Sequence, residues 1–485
     1  MLTAILTPLS GAAFCLWIRD PDRARMAAVY SSAACLASSL AAWGFFAIAS
    51  PETSIPGSPG WPGAWISLDQ LSAPLLPLAA LLWVFTSLVT PRSKLNRFSF
   101  PHALILESLT IATLACREPW GVVLLLVAGT LIPWSELRYR KQPSRLYGLH
   151  MGLFSLLLVL GQLIEDYEGQ ARFTRWWAAL PLLAAVLIRC GVVPFHLWIG
   201  RLFEGASFGL SILFVTPMLG AYACVRLVLP IAPDWMLRGL ALVSVGTALY
   251  CGGLAVVQRE GRRLFSCMFL SHSALVLVGL EMVTELGLTG ALCLWLSAGL
   301  SLGSFALTLR AVESRRGRVD LVRLGGLYSS APILAIMFVL TGLACVGFPG
   351  TIGFVATELL FDGVVEAYPF SGAAVVVAST LNGVAIIRAF FRIFAGATPN
   401  SGISLQILPR EKLVVLTLAA LIVLGGIYPQ PGVRSRHDAA LDLLSHRDSA
   451  LVEEAPHTLQ RIDHQSHDEP LHLESDLQHE PAVER

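Results

Sequence analysis

Residues 181–224 read PLLAAVLIRCGVVPFHLWIGRLFEGASFGLSILFVTPMLGAYAC, and the reading of this stretch decides the fold. It is apolar enough to lie in a bilayer, yet its first half holds Arg189, Pro194 and His196. Pro194 removes a helix hydrogen bond and clashes with the preceding turn, so a helix running through it breaks or kinks. Inside lipid a broken helix persists only where protein or a water-filled cavity satisfies the freed backbone groups. A guanidinium one and a half turns ahead of that break costs at least roughly 2.5–3.5 kcal/mol on insertion scales, so it requires a partner or a wet path. Charge beside a broken helix at membrane depth is one way of building an ion site.

Composition places the stretch in a membrane protein. The chain has 485 residues, of which 55% are hydrophobic and 14% charged, with a mean hydropathy of +0.67. A soluble chain carries about a quarter charged residues. The net charge of +1 gives no reason to expect nucleic acid. All nine cysteines stand singly in apolar stretches without a CxxC pair. That pattern argues against an iron–sulfur cluster, a zinc site or a disulfide framework and reads as small hydrophobes.

Apolar windows along the chain predict about fourteen spans: 2–18, 26–49, 71–90, 100–116, 120–137, 147–164, 176–200, 206–229, 235–257, 263–280, 287–310, 330–365 (interrupted), 370–395 and 412–429. The first is read as a retained span, with no charged region ahead of it. Lys and Arg crowd the connections 19–25, 91–97, 138–145, 258–263 and 310–323, whereas 50–70, 281–286 and 362–369 have none. The positive-inside rule then puts both termini outside, in agreement with an even number of spans. Residues 430–485 hold seven of the 11 His, many Asp and Glu, and no long apolar periodicity. They are expected to form a structureless tail, weak metal scavenging being the alternative.

Three stretches carry a family resemblance: IRCGVVPFHLWIGRLFEGAS (188–207), EGRRLFSCMFLSHSA (260–274) and LGGLYSSAPILAIMFVLTGLACVGFPGTIGFVATELL (324–360). With ISLDQLSAPLLPL (66–78) and RAFFRIFAG (388–396), they resemble the antiporter-like membrane subunits of respiratory complex I, the M-type subunit being the nearest likeness. The resemblance covers about 66–396. It implies an all-α fold of fourteen helices with two inverted five-helix repeats, each holding a broken helix, here near Pro194 and Pro349. The implied divisions are 1–99 for three leading helices, 100–230 and 231–396 for the two repeats, 397–429 for a last helix, and 430–485 for the tail.

The chain also departs from the family. A glutamate of the fifth span falls on Ala128, ahead of Ile132-Pro133, and the lysine before the first break falls on Arg189. The eighth-span lysine falls on Met218, and two eleventh-span positions fall on Ser297 and Ser301. The tenth-span histidine is kept as His272, and the charged position of the second broken helix falls on Thr357, with Glu358 next to it. A proton path needs groups that titrate, and an Arg does not.

The resemblance and the remaining charges give Arg189, Glu107, His272 and Glu358 as the candidate proton path. Arg189 and Glu107 reach similar estimated depth and are expected to pair, structurally or functionally. His272 is either a path residue or a neutral ring bonded to a carbonyl, and Glu358 either a proton site or a helix-end carboxylate facing headgroups. His196 and Glu204 are candidates for lining an inlet. Arg388 either pairs with Glu358 or reaches the inner interface, and Asp69 is expected to cap the third span.

The function expected is that of a membrane-arm subunit of a complex I-like NADH:quinone oxidoreductase in a bacterial cytoplasmic membrane. Such a subunit would hold no cofactor, meeting quinone and NADH only through partner subunits, with other membrane-arm subunits and the bilayer as direct neighbours. Two alternatives stand: a non-conducting scaffold, or a subunit of another assembly such as a cation/proton antiporter, a hydrogenase or an inorganic-carbon uptake complex.

Overall fold

Proline and glycine divide an otherwise apolar run of helices into the elements observed. The computed structural model describes residues 1–48, 65–168, 176–396 and 408–452. Among the described residues all long regular elements are helices, and β pairing is confined to the single bridges Ile66–Cys116 and Glu260–Asp320. This follows from the solvent, because lipid offers no partner to a backbone group and a helix satisfies its own.

The first part of the chain forms α1 (Leu2–Trp17), α2 (Pro21–Ile48), α3 (Leu75–Leu88), α4 (Phe100–Ala115), α5 (Pro119–Tyr139) and α6 (Arg145–Glu168). The central part forms α7 (Trp176–Cys190), α8 (Leu197–Gly205), α9 (Phe208–Val215), α10 (Leu219–Ala223), a π-helical turn at Cys224–Val228, and α11 (Asp234–Val257). There follow α12 (Gly261–Glu281), α13 (Glu285–Arg316), α14 (Pro332–Cys345), α15 (Ile352–Ala367), α16 (Pro369–Phe394), α17 (Pro409–Ile427) and α18 (Gln430–Val452).

Among the described residues eight stretches are long and apolar enough to cross a membrane: α2, α5, α6, Phe208–Val228, α11, α12, α13 and α16. Counting α17 with Gln430–Ser449 of α18 as one span bent by 74° makes nine. Five shorter apolar helices, α1, α3, α4, α7 and α14, have 14 to 16 residues. At 1.5 Å per residue they reach only about 21–24 Å against a hydrocarbon core of about 30 Å. The chain is thus an all-α, multi-pass membrane protein.

Both expected breaks are present. α7 stops at Cys190 and α8 starts at Leu197, with Gly191 at φ +72° and Pro194 between them. A Cβ on Gly191 would stand 2.6 Å from Leu270 and 2.7 Å from Ile199, so the turn needs glycine for space as well as for angle. α14 stops at Cys345 and α15 starts at Ile352, with Gly347 and Gly350 at φ +79° and +85° around Pro349.

Two expectations need correction. The span 206–229 is not one continuous helix. It is interrupted at Thr216–Met218, where Pro217 cannot continue the ladder and Met218 adopts φ +51°, and it loosens again into the π turn. The tail expected to be structureless from 430 instead begins with α18, a 23-residue helix. Apolar periodicity missed it because arginines, not a hydrophobic stripe, attach it. Arg436, 1% exposed, donates to the Leu71 carbonyl at 2.9 Å and also to Gln70, while Ala439 and Ala440 pack beneath. Three turns on, Arg447 donates to the Ala232 carbonyl at 2.9 Å, to Leu229, and to the Asp234 carboxylate at 2.7 Å.

The basic connections meet on one face. Glu313 joins Lys94 at 3.4 Å and Arg262 at 2.5 Å; Arg315 joins Glu411 at 2.5 Å; Arg318 donates to the Glu204 carbonyl at 2.9 Å; and Arg140 donates to the Arg97 carbonyl. The start of α3, the 229–234 turn and the start of α13 meet α18 at the opposite face. There His437 approaches Glu285 at 3.4 Å.

Candidate functional site

A buried ionisable side chain stands beside each break. Arg189, 5% exposed, closes α7, and its Nη2 donates to the Phe214 carbonyl of α9 at 3.3 Å. Its guanidinium carbon stands 4.0 Å from the Phe214 ring centroid and 5.7 Å from that of Trp198. Trp198 is fixed in turn by donating to the Ile188 carbonyl at 2.8 Å. Aromatic faces and a carbonyl therefore solvate the cation where a carboxylate was expected. Among the described residues Nε finds no acceptor. The eighth span comes close here, since a Cβ on Gly220 would stand 3.2 Å from Arg189 Cγ and 2.5 Å from Cys190 Sγ.

The expected Arg189–Glu107 pair does not form. Glu107 is fully buried on α4 and turns to α2, accepting from Ser32 Oγ at 2.5 Å, while its Oε1 has no partner. α4 packs on α1, α3 and α5, whereas α7 packs chiefly on α6 and α10. Similar estimated depth gave no information on position around the bundle.

His272, 2% exposed, holds the second break. Its Nδ1 lies 2.8 Å from the Met268 carbonyl one turn earlier on α12, and its Nε2 lies 2.7 Å from the Cys345 carbonyl. Cys345 is the last residue of α14, so that carbonyl lacks a helical partner. A neutral imidazole has one N–H and serves one of these acceptors, whereas an imidazolium serves both. The proton count on His272 therefore alters the tie between α12 and the broken end of α14. Nearby, Asn382 of α16 donates to Ser271 Oγ at 2.8 Å, and Ser271 donates to the Ala248 carbonyl at 2.9 Å. The sequence reading missed Asn382, a neutral side chain within an apolar run.

Glu358 is exposed on α15 and lines a lateral cavity of about 780 Å³ between the second break and α16. Arg388 lines the same cavity but makes no ion pair with Glu358. It donates to the Gln258 carbonyl at 3.2 Å and to Val256, satisfying the C-terminal carbonyls of α11 at the basic face. The expected alternative of a pair with Glu358 does not form; Arg388 instead turns to the end of α11.

His196 and Glu204 lie at opposite ends of α8 and line one cleft of about 460 Å³ with Arg201 and Arg263. Glu204 is held by Arg263 at 2.5 Å and Arg201 at 3.2 Å, whereas Nδ1 of His196 is unpartnered. Asp69 accepts from the Ser72 amide at 2.8 Å and hydroxyl at 2.7 Å, capping the turn that leads into α3. It also pairs with Arg226. Burial pushes the Asp69 carboxyl up, but the Arg226 guanidinium and Ser72 outweigh it and hold the group below the usual aspartate value.

The structure is thus a multi-pass helical bundle with a buried ionisable group beside each of two broken helices. Residues 148–382 match the family model described as NADH:quinone oxidoreductase/Mrp antiporter, transmembrane. The chain is similar to the NADH-quinone oxidoreductase subunit M of Pseudomonas aeruginosa, 25% identical over 79% of this chain and 84% of that one. The subunit M of Rickettsia typhi is 24% identical over 60% of each chain. That of Mycobacterium tuberculosis is 28% identical over 52% of this chain and 47% of its own. The chain thus spans about half to five-sixths of these relatives' length. The fold is shared with a chain of respiratory complex I from Thermus thermophilus (TM-score 0.77, 23% identity, 92% and 99% covered) and with one of the Mrp complex from Dietzia (TM-score 0.77, 20% identity, 93% and 100% covered).

Proposed function

We propose that this chain is a membrane-arm subunit of a complex I-like NADH:quinone oxidoreductase, moving protons while partner subunits carry out the redox chemistry. The observation that carries the reading is that a buried ionisable side chain stands at each break, Arg189 in the last turn of α7 and His272 of α12 against the last carbonyl of α14. The subunit M relatives support the choice of assembly. In this reading the chain crosses the bacterial cytoplasmic membrane fourteen times as two inverted repeats, counting the short and broken helices as spans. Both ends lie outside and the basic face inside. It holds no cofactor, and its neighbours are other membrane-arm subunits and lipid.

The roles differ by residue. Arg189 keeps its proton and acts by its field, favouring negative charge and ordered water near the first break. His272 exchanges a proton, and doing so changes the hold on α14. The cleft lined by His196 and Glu204 is the inlet from the basic face. Glu358, open to the lateral cavity, exchanges with a neighbour or with the far side. Glu107 is a separate buried acid on α4, turned toward α2.

A scaffold role is the second reading. It is favoured by Ala128, Met218 and the Ser297/Ser301 pair, where the resembled subunits carry titratable groups. Replacing Arg189 by Met and His272 by Ala in the assembled complex decides between them. Loss of proton pumping with NADH oxidation and assembly retained supports conduction; full pumping with both replaced supports the scaffold.

A further inference from the structure

Glu281 takes no part in the proposed path, yet its placement among the described residues calls for an explanation. It is the last residue of α12 and 1% exposed, yet both carboxyl oxygens lack a hydrogen-bond partner. Among the described residues no Lys, Arg or His reaches it. The Ser244 hydroxyl of α11 faces it without completing a hydrogen bond, and the thiols of Cys224 and Cys190 lie within electrostatic range. A carboxylate so placed, dry and without a cation, is strongly disfavoured in its charged form. It persists as a neutral carboxyl or with transient water.

Its position gives it a use. Four residues on, Glu285 meets His437 of α18, so Glu281 lies just beneath the face opposite the basic connections. The irregular eighth span links it to the first break. The Phe214 carbonyl and Gly220 of that span touch Arg189, and Cys224, where the π turn begins, lies within electrostatic range of Glu281. Proline breaks and π turns leave backbone groups without their normal ladder partners, and such groups can hold water in an otherwise apolar bundle.

We infer that Glu281 is the terminal proton carrier of the outward leg, reached from the Arg189 break along Pro217–Val228. The carboxylate takes one proton from the path to become a neutral carboxyl, then releases it to water at the α18 face. No electron moves and no other bond changes. The inference rests on the proposed function.

Two measurements on the assembled complex in its membrane test it. In the first, Glu281→Gln and Glu281→Asp are compared for protons pumped per NADH oxidised. Pumping is expected to fall by about tenfold or more in the Gln variant, as on losing a positioned proton carrier, and to recover in part with Asp, both assembling normally. In the second, wild-type membranes are treated with a hydrophobic carbodiimide, which reacts with protonated buried carboxyls, and Glu281 is mapped by mass spectrometry. It is expected to be labelled. Pumping by the Gln variant at the wild-type ratio overturns the inference, as does an unlabelled Glu281 in the wild type. Should the Gln variant fail to assemble, the labelling decides. A wild-type complex that pumps no protons overturns the proposed function itself.

Discussion

Arginine at position 189 poses a different problem from a lysine, because it holds its charge at every accessible pH. Its aromatic surroundings contribute on the order of 2 kcal/mol, less than the several kcal/mol that burying an ion costs. Arg189→Met is therefore expected to leave thermal stability in detergent unchanged or raised while proton pumping falls. A melting curve set beside a pumping assay checks both halves. His272 behaves oppositely. His272→Ala strands the Cys345 carbonyl and should cost about 1–3 kcal/mol, whereas Gln, which keeps an N–H donor, should restore stability but not proton exchange. At the far face, Asp69 supplies a pH test. Its folded-state pKa lies below the ordinary aspartate value, so its pair with Arg226 stabilises the fold fully above about pH 4. That contribution disappears as pH falls through the depressed value. The melting temperatures of wild type and Asp69→Asn should thus differ at neutral pH and converge in acid.

At the scale of elements, prolines and glycines made most boundaries legible. The break at Pro194 was readable because proline follows Gly191 inside an apolar run, and the one at Pro349 because glycine flanks it on both sides. Pro217 carried the same signal, but an apolar window averages over a single proline, and the span was read as whole. Glu281 escaped because a carboxylate at the end of a span looks like a headgroup contact; only its burial identifies it. The Arg189–Glu107 pairing failed because hydropathy fixes depth, whereas neighbours are fixed by how helices pack around the bundle. α18 escaped because its attachment is carried by two arginines 11 residues apart, which composition counts as solvent-facing polarity. Two substitutions test these assignments. Gly191→Ala places a Cβ against Leu270 and Ile199 at positive φ; it should destabilise by about 1–3 kcal/mol, read as a lower midpoint in detergent melting. Arg447→Met strands the Leu229 and Ala232 carbonyls and should free α18 first, seen as faster proteolysis there before any global unfolding.

For the whole molecule, the gathering of basic connections on one side makes orientation a single question. Cysteines at Arg316 and Ser445, both exposed, lie on the two faces. An impermeant thiol reagent applied to intact cells should label position 445 and spare position 316; the reverse pattern inverts the topology and exchanges the inlet and outlet sides. α18 sets a further condition on any movement. It is fastened to the turn before α3, to the 229–234 turn and, through His437, to the start of α13, and so it staples the leading helices to both halves of the bundle along one rim. A structure stapled along one rim behaves as a bellows: the stapled edge keeps its spacing, and any change of volume is taken up at the pleats, here the three breaks, and at the opposite edge.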